Sequence, residues 1–206
     1  MHDVPGFEPL AARVYVAARE GAVDRDSGFD LAAMVLDYQP LNPRAAELAD
    51  LCVQGADEAR IAAAARIVLD ETFAPGFAEE PAWFAALTGA LDRVNADMRA
   101  TGLPGIARLV DPERSGQRAW VETWDGHRGS GSGVFPASGK DPVTALEAVA
   151  DEAQDAVMET IWGAWPVCPA HTMGAHAEVR DGTAVWWCKG AGGHAIAAIG
   201  AWGQPA

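Results

Sequence analysis

Lysine is nearly missing from this chain. Only Lys140 and Lys189 occur in 206 residues, and all Lys and Arg together number 15 against 29 Asp and Glu, for a net charge of −14. Nonspecific binding to DNA, RNA or anionic lipid depends on neutralising phosphates with basic side chains, so the balance argues against nucleic-acid and membrane-surface partners. The deficit is shared: residues 1–103 carry 17 acidic and 8 basic side chains, and residues 104–206 carry 12 and 7. Neither half offers a basic face by composition, and a basic protein is the electrostatically easier partner.

Cysteine is scarce too, with three residues, which excludes a disulfide-rich scaffold. No uninterrupted apolar run approaches the ~20 residues of a membrane helix. The start, Met1-His2-Asp3-Val4-Pro5-Gly6, has no cationic stretch followed by an apolar one. The expectation is a cytoplasmic protein of oligomeric state not readable from sequence, in which metal sites are commoner than disulfides. Half of the chain is nonetheless hydrophobic, enough for one large core or two small ones.

Punctuation in the first half predicts helices. Asn42-Pro43 supplies an N-cap and an N1 proline, and Gly55 stands at a helix C-terminus, giving a helix over 43–54. Asp57 caps a second, through Ala62–Ala65 to about Glu71. A third runs from Pro81 to Gly102 with Phe84, Leu87, Leu91, Val94 and Met98 on one face. Pro9–Arg19 and Asp30–Asp37 each read as helical, with Asp24-Arg25-Asp26-Ser27-Gly28 as a polar turn between them.

Beyond Pro104-Gly105, taken as the boundary between a helical region (1–103) and an α+β region (104–206), short apolar segments alternate with turns. Strands are expected at Ile106–Val110 and Ala119–Trp124, with the glycine-rich Gly126–Gly133 as a mobile hairpin tip. A long helix follows Asp141-Pro142, and its Glu147, Asp151, Asp155 and Glu159 recur every four residues as a solvated acidic face. Seven of eight tryptophans lie after residue 119, most of them core candidates. The fold class is therefore α+β, with a helical N-terminal half, a small antiparallel sheet beside a long helix, and a ribbon-like C-terminal hairpin.

The chemistry concentrates in the 27 residues from Cys168 to His194. The spacing is C-x2-H (Cys168, His171), sixteen residues, then C-x5-H (Cys188, His194), with His176 as an alternative ligand. Thiolate and imidazole are natural zinc ligands, and a structural zinc takes four in a tetrahedron. On Trp165, Pro166, Cys168, Pro169, His171, Trp186 or Trp187, and Cys188, the segment 166–200 resembles the zinc ribbon. It also resembles C-terminal segments of uncharacterised bacterial proteins of the form W-P-x-C-P-x-H … W-x-C. That likeness implies a Zn2+ stapling two turns joined by a hairpin and brings no assigned activity. The five-residue second spacing, three of it glycine, departs from the two-residue pairs usual in ribbons and reads as a loose loop.

Buried structural cysteines and exposed turn histidines are the bland alternative, and a Cys168–Cys188 disulfide is a third. No nucleophile motif occurs, and His176-Ala-Glu178 matches the zinc-deaminase H-x-E in neither order nor context. The first functional expectation is a non-enzymatic interaction or regulatory protein, of the inhibitor or immunity type, that binds a basic partner. The alternatives are a hydrolase-like zinc enzyme using His176 or His194 beside an open metal position with Glu178 as base, and a small-ligand binder using the tryptophan-rich half.

Overall fold

A computed structural model describes residues 5–111 and 116–203. It shows an α+β chain of six α-helices and two antiparallel sheets among those residues, divided into two compact units at Pro75/Gly76. The division precedes the Pro104-Gly105 boundary expected from sequence, and the helix that begins at Pro81 shares its core with the sheets.

The first unit is four helices: α1 (Phe7–Arg19), α2 (Arg25–Tyr38), α3 (Pro43–Gln54) and α4 (Glu58–Thr72). Their caps are those that the side chains dictate. Asn42 accepts from the amides of Arg44 and Ala45, Asp57 from Arg60, and Gly55 closes α3 in the left-handed region. Phe7, Val14, Leu31, Val35, Leu48, Ile61 and Leu69 form the buried core. The polar stretch expected as a turn is instead the start of α2, with Asp24 as its N-cap accepting from the Ser27 amide. Within α2 position 28 takes glycine because the helix passes close to its neighbours: a Cβ there would lie 2.7 Å from Ile61 Cγ2 and 3.0 Å from Cys52 Sγ.

In the second unit α5 (Pro81–Ala100) and α6 (Pro142–Ile161) pack together and carry both sheets. Leu87, Leu91, Val94 and Met98 of α5 are buried as their spacing predicts, against Leu146, Val149, Ala153 and Val157 of α6. The strands β1 (Arg108–Val110) and β2 (Trp120–Glu122) pair antiparallel, with Leu109 opposite Val121. Asn95 in α5 fixes the approach to β1 by donating to the Ala107 carbonyl and accepting its amide. The second sheet has the order β3 (His176–Arg180), β4 (Thr183–Cys188), β5 (His194–Ala198), all antiparallel, with a tight turn at Asp181-Gly182. Trp165 and Trp186 meet edge to face in its core at a centroid distance of 5.3 Å.

Two expectations about surface segments are corrected. The glycine-rich segment after Gly126 is pinned along α6: Glu159 accepts from the Ser130 amide and hydroxyl, and Glu152 accepts from the Gly133 amide. Its glycines permit the approach, since a Cβ on Gly129 would lie 2.8 Å from the Ala156 nitrogen. The acidic row is correspondingly not a bare solvated face. Glu159 is bound to the loop, and Glu152, outside the row, is buried beneath it.

Candidate metal centre

Cys168 leaves the cis Trp165–Pro166 segment in a tight turn built by two backbone bonds, Cys168 amide to Met173 carbonyl and Thr172 amide to Cys168 carbonyl, both 2.8 Å. Thr172 sits in the left-handed region, with φ 54°, to close it. The turn aims the Cys168 thiol and the His171 imidazole at the same point. From the other side come Cys188, the last residue of β4, and His194, the first of β5, which face each other as a cross-strand pair. The second turn between them is the five-residue segment 189–193 that sequence spacing alone makes look slack.

Four ligand atoms, one from each residue, lie within 4.8 Å of one another. His171 Nδ1 is 3.7 Å from Cys168 Sγ and 3.3 Å from Cys188 Sγ, and His194 Nε2 is 3.6 Å from Cys168 Sγ. Both cysteines are fully buried and both histidines partly so. Burial works against the Cys168 thiolate, but the backbone amides of Ala170 and His171 and the Cys188 side chain outweigh it and lower its pKa from the ordinary thiol value. Cys188 Sγ accepts from the Gly190 amide at 3.3 Å. The two sulfurs are not joined by a disulfide.

Two glycines of the second turn, Gly190 and Gly193, are tightly enclosed. A Cβ on Gly190 would lie 2.6 Å from His171 Nδ1, so the absence of a side chain is what lets the imidazole reach the cluster. Gly192 and Gly193 both have positive φ, and the Gly193 amide bonds the Gly190 carbonyl at 2.7 Å. The run Gly190-Ala-Gly-Gly193 was the available signal, because glycine marks close approach as well as slack. His176 stands outside the cluster, exposed at the start of β3 opposite Trp187. Glu178 bonds Arg180 and lies 3.5 Å from Lys189 Nζ.

The fold and site thus define an α+β chain whose C-terminal sheet carries a Cys2His2 cluster that could hold a metal ion. The chain matches no protein-family model, no curated protein and no solved structure. Among the described residues no helix is long and apolar enough to cross a membrane.

Proposed function

We propose that Cys168, His171, Cys188 and His194 bind a structural Zn2+ that cross-links the 168–171 turn to the β4–β5 turn. The protein so braced serves as a non-enzymatic interaction protein for a basic protein partner. One observation carries the metal assignment. Zinc bonds of about 2.3 Å to sulfur and about 2.0–2.1 Å to nitrogen place S and N ligands about 3.5–3.6 Å apart on a tetrahedron's edge. Three of the four S···N separations, at 3.3, 3.6 and 3.7 Å, bracket that value, and all four ligand atoms lie within 4.8 Å of one another.

Four protein ligands complete the tetrahedron and leave no coordination position for water or substrate, which favours a structural over a catalytic ion. Glu178, the base of the enzymatic alternative, is engaged by two cations. The interaction role is supported by the net charge of −14, which favours association with basic surfaces.

The metal proposal is tested by elemental analysis of the purified chain and by cobalt substitution. Near one zinc per chain, and the visible absorption of tetrahedral cobalt with thiolate ligands, are expected. A metal-free chain that takes up no cobalt overturns it. Affinity capture from native cells tests the role, and capture of no basic protein counts against it.

A further inference from the structure

Resting on the basic-partner reading above, and independent of the metal, a second site stands at the C-terminal end of α6. A pocket of about 540 Å³ opens there, lined by His127, Ser130, Met158, Glu159, Trp162 and Gly163. Trp162 is 93% exposed. Its backbone is left-handed, with φ 52°, at the helix C-cap, a conformation that strains an L-residue and that glycine adopts freely. The largest of side chains therefore sits where the backbone favours the smallest, and packing gives it little in return.

The helix end beneath this ring is electronegative. Helix C-termini present unpaired carbonyls and a partial negative charge that attract cations, yet the last turn of α6 has no basic residue and contains Glu159. Among the described residues the lining carries no lysine or arginine. Glu159 is held in place by the Ser130 amide at 3.0 Å, the Ser130 hydroxyl, and His127 Nε2 at 3.0 Å. Those three donors leave about one of a carboxylate's roughly four acceptor positions open. Ser130 bonds also hold the group ionised, with its pKa lowered to about 2.

A fixed carboxylate and an exposed indole lining one pocket are the two groups that together recognise a guanidinium or ammonium group, through a charge-assisted hydrogen bond and a cation–π contact. We infer that this pocket is the docking point for an arginine or lysine side chain of the basic partner. The methylene stem would lie against Met158, and the charged head between Trp162 and Glu159.

The test titrates the full-length, metal-replete chain with blocked peptides of equal length bearing arginine, lysine, citrulline or glutamate. The cationic peptides are expected to bind at least tenfold more tightly than the citrulline and glutamate peptides. Trp162→Ala, which removes an exposed ring and little packing, is expected to weaken cationic binding about tenfold with unchanged zinc content and melting temperature. Glu159→Gln should weaken it similarly, whereas Glu147→Gln, farther along the same helix, should leave it unchanged.

Equal binding of citrulline, no binding by the wild-type chain, or no effect of Trp162→Ala overturns the inference. So does an equal loss in Glu147→Gln, which marks diffuse attraction, or concentration-dependent dimerisation abolished by Trp162→Ala, which assigns the pocket to a second copy. A Trp162→Ala chain that still captures a basic protein from cells sinks the pocket and leaves the partner reading standing.

Discussion

Trp186 in β4 donates its indole N–H to Asp97 Oδ2 in α5 at 2.7 Å, with both side chains buried. The same carboxylate accepts from the amides of Gly200 at 2.7 Å and Trp202 at 2.8 Å. One acidic residue thereby ties α5 both to the middle strand of the C-terminal sheet and to the chain that leaves that sheet. Three donors compensate for the burial of its charge, as a buried carboxylate requires. Truncation should therefore be costly. Asp97→Ala is expected to destabilise the second unit by about 3 kcal/mol or more, because three buried donors lose their acceptor, and Asp97→Asn by less. Denaturant unfolding followed by tryptophan fluorescence checks both. A loss under about 1 kcal/mol for the alanine variant would contradict the account.

Gly190→Ala tests the packing of the second turn under His171. The added methyl would meet Nδ1 at 2.6 Å and push the imidazole out of the cluster. Zinc affinity, measured by competition with a chromophoric chelator, should fall about tenfold or more. Gly182→Ala is the contrasting control: its φ of 73° strains alanine, but the added methyl meets nothing within 4 Å and the turn lies at the other end of the hairpin. It should leave metal affinity unchanged.

Glu152 predicts the pH dependence of stability. Burial first, and then the neighbouring carboxylates Asp155, Asp151 and Glu159, push its pKa up to about 7 despite the bond from the Gly133 amide. Its Oε1 has no hydrogen-bond partner among the described residues. Between the ordinary 4.5 and about 7 the folded chain holds a proton that the unfolded chain has released. The stabilisation from this group is complete below pH 4.5 and is lost as pH rises through 7. Glu152→Gln should remove that loss and stabilise the protein by about 1–2 kcal/mol at pH 8, with little change at pH 4. Melting temperatures of both chains across this range are the measurement.

Trp162→Gly should raise stability by about 0.5–1 kcal/mol, because glycine takes the left-handed C-cap without strain and an exposed ring contributes little packing. Chemical denaturation decides it. A destabilised variant would mean that the indole has a structural contact that its exposure conceals.

What local spacing encodes was legible in residue order. Asn42-Pro43 with Gly55, the Asp57 cap, and the stripe Leu87, Leu91, Val94, Met98 specify helices because caps and periodicity act within a few residues. The Cys168, His171, Cys188 and His194 set was readable for a related reason: only a few side chains ligate metals, and a hairpin between two pairs closes the distance. Gly28 misled because its value lies in the contact with Ile61 and Cys52, far along the chain.

Tertiary packing alone decided the rest. Glu152 and Glu147 have similar helical surroundings in sequence, yet Glu152 is buried because the segment around Gly131 and Gly133 folds back over it. Asp97 became an anchor only when Trp186, Gly200 and Trp202 arrived from about a hundred residues away. Residue order specifies what a backbone can do locally, whereas burial, and with it the energy of every charge and hydrogen bond, depends on which distant segments remove the water.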